Sequence, residues 1–169
     1  HPYGWMTKEA IDDATNTIAK TLNISAKEIV YTSGATESIN AILKGLYQKN
    51  KATRKHIITT KAEHKAVLDV CSHLESEGAL ITYLDIDSKG LIDIQQLENV
   101  ISSETLLVAI LWANNETGVI QPLEQIAKLC DKHGSLLFSD ATQGIGKIET
   151  KDFFQLVDFA CLSGHKIYG

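Results

Sequence analysis

Cysteine, proline and methionine are scarce in this 169-residue chain, which has three, two and one of them. Three cysteines are an odd number and do not make a disulfide framework; they point to a reducing compartment. Positive charge is not in excess. Sixteen Lys and Arg against 21 Asp and Glu leave a net charge of -5, with no footprint for nucleic acid or an anionic membrane. No apolar run approaches the length of a transmembrane helix, and His1-Pro2-Tyr3-Gly4-Trp5 does not read as a signal peptide. Internal repeats and low-complexity tracts are missing too. Zinc-ligand spacing is absent: Cys71 with His73, Cys130 with His133 and Cys161 with His165 are only loose pairs. Cys71 and Cys130 also fall on the apolar faces of expected helices, where cysteine behaves as a small hydrophobe. What is present is a 44% hydrophobic chain, long enough for one domain with a sizeable core.

Strand and helix signals alternate along it. Apolar spacing predicts helices over 8–22 and 36–48, one beginning near Glu63, a short one through Ile94, Leu97 and Ile101, and one opened by Pro122 at its first turn. Six candidate strands cover 29–32, 57–60, 80–84, 106–112, 135–138 and 156–162. The long apolar run 106–112 suits a strand buried on both faces of a parallel sheet. The expected class is α/β, with a mostly parallel sheet and helices on both faces. Ligands of such sheets bind at the carboxyl ends of the strands, so the residues just beyond each strand should carry the chemistry.

Those residues are of informative types. Ser33-Gly34-Ala35-Thr36 runs into a helix start, where free N–H groups favour a phosphate and Thr36 adds a hydroxyl, unless Thr36 simply caps the helix. His64 stands at the next helix start, able to stack on an aromatic ring or move protons, or merely to be a half-exposed polar residue. Asn114 and Asn115 make a tight turn or offer an amide to a ligand oxygen. Asp140 leaves a buried strand and either caps a short helix or pairs with a cation such as a protonated pyridine. Lys166 follows the last strand, between His165 and a glycine-containing turn, where an amine is well placed as a nucleophile toward a carbonyl.

Ser33-Gly34-Ala35-Thr36-Glu37-Ser38, Glu63-His64-Lys65, Asn114-Asn115-Glu116-Thr117-Gly118, Asp140-Ala141-Thr142-Gln143 and Ser163-Gly164-His165-Lys166-Ile167-Tyr168-Gly169 occur in that order. Lys166 lies 26 residues beyond Asp140, and Asp140 lies 25 beyond Asn115. This series, over essentially the whole chain, resembles the cysteine desulfurases of iron–sulfur cluster assembly, within the class V aminotransferases. Thr117 departs from the usual apolar residue of the housekeeping branch.

The resemblance implies part of the large domain of a pyridoxal phosphate (PLP)-dependent transferase of the aspartate aminotransferase type, fold type I. Its activity would be removal of sulfur from L-cysteine, giving L-alanine and an enzyme persulfide. Lys166 would carry PLP covalently and move the substrate α-proton. Asp140 would pair with the pyridinium nitrogen, and Gln143 would approach the ring oxygen with Asn115 nearby. His64 would stack on the ring and act as acid and base. Ala35, Thr36, Ser163 and His165 would hold the phosphate. No metal is implied.

The resemblance further implies a homodimeric parent, cytoplasmic or in the mitochondrial matrix, that passes sulfur to a scaffold or other acceptor protein. None of Cys71, Cys130 or Cys161 matches the family's persulfide cysteine, nor is its substrate-carboxylate arginine here. Residues 1–169 are therefore expected to be an internal, inactive piece without the cysteine loop and the small C-terminal domain. A selenocysteine lyase, another class V aminotransferase, and a non-catalytic folding or dimerisation module are the alternatives.

Overall fold

The computed structural model describes residues 2–149 and 152–168, with side chains from residue 4 onward. Five short strands form one sheet: β1 His56–Thr60, β2 Leu80–Leu84, β3 Thr105–Ala109, β4 Leu136–Asp140 and β5 Phe159–Cys161. Their order is β2-β1-β3-β4-β5, and every pairing is parallel. Among the described residues, six α-helices precede or connect them: α1 Pro2–Leu22, α2 Ala35–Asn50, α3 Lys65–Ser76, α4 Ile94–Val100, α5 Leu123–His133 and α6 Phe153–Leu156.

Alternation along the strands fills two cores. Ile57, Leu107 and Phe138 point to one face and meet Ile39 and Leu43 of α2 and Val67, Val70 and Leu74 of α3. Their neighbours Ile58, Val108 and Leu137 point the other way, against Leu97 of α4 and Ile126 and Cys130 of α5. Each of these buried aliphatic or aromatic side chains contributes about 1.5–3 kcal/mol relative to exposure. β3 is buried throughout, as the apolar run requires of a strand covered on both faces.

The chain passes from β1 outward to β2, then returns past β1 to β3. Strand order therefore reverses between β1 and β3, and the carboxyl edge there is where such sheets bind ligands. The opposite edge is clamped by Arg54. Its guanidinium donates to the carbonyls of Thr105 at the start of β3 and of His133 and Gly134 at the end of α5.

Some boundaries differ from expectation. Residues 29–32 do not join the sheet: Val30 is 80% exposed and Tyr31 58%, and the stretch has no strand partner among the described residues. β-branched composition makes it extended, but a strand also needs a neighbour to pair with. Tyr31 is instead tethered to α1, with its hydroxyl 2.8 Å from Thr15 Oγ1. Residues 153–156 form α6, and pairing with β4 begins only at Asp158, whose N–H donates to Leu137 O and whose carboxylate accepts from Leu137 N–H. Pro122 occupies the cap position just before α5, where its missing N–H also costs nothing.

Candidate functional site

Ala35, Thr36, His64, Asn115, Asp140, Gln143, Ser163, His165 and Lys166 all line one cavity of about 350 Å³ at the carboxyl edge of the sheet. They come from the start of α2 and from the loops after β1, β3, β4 and β5, so parallel pairing alone gathers residues spread over most of the chain.

The α2 end of the cavity is a helix start without a side-chain cap. Gly34 occupies the cap position at φ 156° and ψ 177°, a conformation only glycine adopts readily, and thus no side chain covers the first N–H groups. Thr36 does not cap the helix, so that reading is set aside. Glu37 Oε2 turns back to accept the Ser33 N–H at 2.6 Å; hydrogen bonds from Ser33 hold this carboxyl below the usual carboxylate range. The first-turn amides and the positive end of the dipole are left facing the cavity.

His64 is the N-cap of α3. Its Nδ1 accepts the Ala66 N–H at 3.2 Å, which leaves the proton of the neutral ring on Nε2. The two asparagines divide the work. Asn114 builds the turn: its Oδ1 accepts from the N–H groups of Glu116 and Thr117, and its Nδ2 donates to Ala62 O at 3.1 Å. Asn115, exposed, is the one that lines the cavity.

Asp140 ends β4 and is 8% exposed. Its Oδ1 accepts the Thr142 N–H at 2.9 Å, but no helix follows, and among the described residues no cation pairs with it. A carboxylate so placed is costly to desolvate without a positive partner. Lys147 donates to Gln143 Oε1 at 2.7 Å, fixing the amide so that its NH₂ remains to be satisfied elsewhere. At the far side, Ser163 Oγ lies 2.9 Å from His165 Nδ1 within the turn Ser163–Lys166. Lys166 has neither an ion pair nor a hydrogen bond from its amine among the described residues.

Sequence reasoning singles out these nine residues but not all of their surroundings. Ile39 and Leu111 supply apolar wall, and Thr142 faces the cavity beside Gln143. None of the three cysteines lines the cavity. Burial pushes Cys71 and Cys130 up to about 12, and burial together with the nearby Asp140 raises Cys161 as well.

The chain is similar in sequence and in fold to known proteins. A cysteine desulfurase, IscS, of Rickettsia prowazekii (strain Madrid E) is 47% identical over 169 residues, all of this chain and 41% of its own. A solved structure of a NifS-like protein superposes with a TM-score of 0.96 at 40% identity, over 100% of this chain and 47% of that one. A structure of SspA in complex with cysteine gives 0.94 at 40% identity, over 100% and 49%. The chain thus spans about two fifths of the length of the curated relatives it matches. The family model for class V aminotransferases matches residues 1–169 from end to end, and the chain belongs to that family.

Proposed function

We propose that this chain is the cofactor-binding part of a longer PLP-dependent cysteine desulfurase, which takes sulfur from L-cysteine for iron–sulfur cluster assembly and leaves L-alanine. The observation that carries the reading is the meeting of Lys166 and Asp140 on one cavity with an uncapped helix start. A relative's structure with cysteine supports the substrate. The parent would be a cytoplasmic homodimer with a scaffold protein as sulfur acceptor, and its remaining chain would supply the small domain and the cysteine that takes the sulfur.

The residues fit PLP. The open N–H groups at Ala35 and Thr36 suit a phosphate, with Thr36 Oγ1, Ser163 Oγ and the His165 ring as further donors. Asp140, buried and without a cation, suits a protonated pyridine nitrogen. PLP, when bound, supplies an electron sink for charge that develops on the substrate α-carbon.

The chain's own residues do the rest. Asp140 would hold a proton on the ring nitrogen, because loss of that proton would leave a buried carboxylate unpaired. Gln143, its oxygen already committed to Lys147, has its NH₂ left to donate and would hold the ring oxygen, and Asn115 would offer a second amide from the same cavity. His64 holds its proton on Nε2, where it can pass to or from the incoming amine. Lys166 Nζ, free of any carboxylate among the described residues, would hold the cofactor as an amine nucleophile and would be the base that takes the substrate α-proton.

The test uses the full-length protein. Purified with PLP and given L-cysteine, it should release L-alanine, and borohydride should fix the cofactor on the peptide that contains Lys166. Fixation on Lys61, Lys65 or Lys147, or an amino acid product other than alanine, would overturn the assignment.

A further inference from the structure

Glu63 stands next to His64 but does not line the cavity. It is 6% exposed. One carboxyl oxygen, Oε1, accepts two bonds: from the Leu111 N–H at 2.9 Å and from Thr60 Oγ1 at 3.1 Å. The other, Oε2, is buried without a partner. No cation pairs with this carboxyl among the described residues.

These bonds join two parts of the site. β3 and its extension run past the end of β1, which leaves the Leu111 N–H with no neighbouring strand to donate to; Glu63 is its acceptor. Leu111 is a wall of the cavity, and the next residue, Trp112, donates its N–H to Asp140 O. The carboxyl therefore ties the turn that carries His64 to the strand extension that leads to Asn115 and flanks Asp140. The Asn114 to Ala62 bond is a second tie across the same gap.

The charge state follows from the surroundings. An ionised carboxylate with one bare oxygen and no cation is expensive in the interior, whereas a neutral acid keeps both accepted bonds at much lower cost. The titratable groups facing it are Asp140 from β4 and Cys71 from α3, and neither is a cation. Burial, with Asp140 adding to it, pushes Glu63 up to about 8.

We propose that Glu63 is a positioning residue of the cofactor site: its carboxyl holds the turn carrying His64 against the extension of β3, and it does so as an uncharged acid. The consequence is that, of these two neighbouring carboxyls, Asp140 alone would offer a negative charge to a protonated ring nitrogen. This rests on the PLP reading above, and its test separates the two.

In the full-length protein, PLP affinity and the ring ¹⁵N signals of His64 in the apo form are compared for wild type, Glu63→Gln and Glu63→Ala. Gln keeps the accepting oxygen without any charge, so affinity should stay within about threefold of wild type, with His64 signals unmoved. Ala leaves the Leu111 N–H and the Thr60 hydroxyl unpaired, so PLP binding should weaken about tenfold or more and the His64 signals should shift. Should Glu63→Ala fail to fold, Glu63→Asp, too short to reach both donors, takes its place with the same expectation.

Equal loss in Gln and Ala would mean that charge is needed, and would overturn the proposal. So would an Ala or Asp variant with wild-type affinity and unmoved His64 signals. A wild-type protein that binds no PLP would sink the cofactor reading instead, and the His64 signals would still judge Glu63.

Discussion

Trp112 lies so close against Gly144 that a Cβ added to the glycine would meet the indole Cε3 at 2.1 Å. The same indole stacks on Phe153, with ring centroids 4.1 Å apart and planes at 19°. Gly144 follows Gln143, so a core ring is the floor on which a cavity-lining turn rests. Gly144→Ala should therefore destabilise the protein by about 1–3 kcal/mol, as overpacking does, and lower PLP affinity by lifting Gln143. Combining it with Trp112→Leu should recover part of both losses. Thermal unfolding and PLP titration of the single and double variants check this coupling.

Lys166→Ala should separate capture of the cofactor from its attachment. The phosphate donors and Asp140 are untouched, so the full-length variant should still take up PLP. Borohydride followed by dialysis should then leave no label on the protein, and alanine release from cysteine should fall to background.

Asp140→Asn keeps an acceptor for the Thr142 N–H but removes the charge. Because a buried ionic partner is lost, PLP binding or turnover should drop by about thirtyfold or more, the usual scale for breaking such a pair. If the loss were below about twofold, the ring nitrogen would not be its partner.

The Glu63 carboxyl makes stability depend on pH in a predictable direction. Its ordinary value is 4.5, and in the fold it is pushed up to about 8. The folded state therefore holds a proton that the unfolded chain has released, so stability is whole below 4.5, falls as pH rises to about 8, and is flat beyond. Thermal midpoints of apo Glu63→Gln should lose this slope between pH 5 and 8, an interval set by the same two values. Persistence of the slope in the variant would assign it to another group.

The thiols give a negative control. With burial holding Cys71 and Cys130 near 12, a thiol reagent at neutral pH should leave both unmodified in the folded protein and modify them in denaturant. Cys161, raised as well and 2% exposed, should behave alike. Peptide mapping after alkylation reads all three.

Much of the site is legible in the sequence because its residues follow strands. Once Asp140 and Lys166 are recognised as strand-end residues, parallel pairing delivers both to one edge without further information. Glu63 is different. Glu63-His64-Lys65 is legible as a motif, but nothing in it marks Glu63 for burial, because its partner is an N–H at Leu111, far away in sequence. Residues 29–32 mislead for a related reason: β-branched residues favour extension, yet only a neighbouring chain makes a strand. Trp112 and Gly144 belong together only after folding, and neither residue announces the other.

Arg54 draws a division of labour across the sheet. Its guanidinium binds only carbonyls where β3 begins and α5 ends, at the edge away from the cavity. Arg54 lines no part of that cavity, so a change there acts on how the sheet holds together and touches none of the residues at the other end.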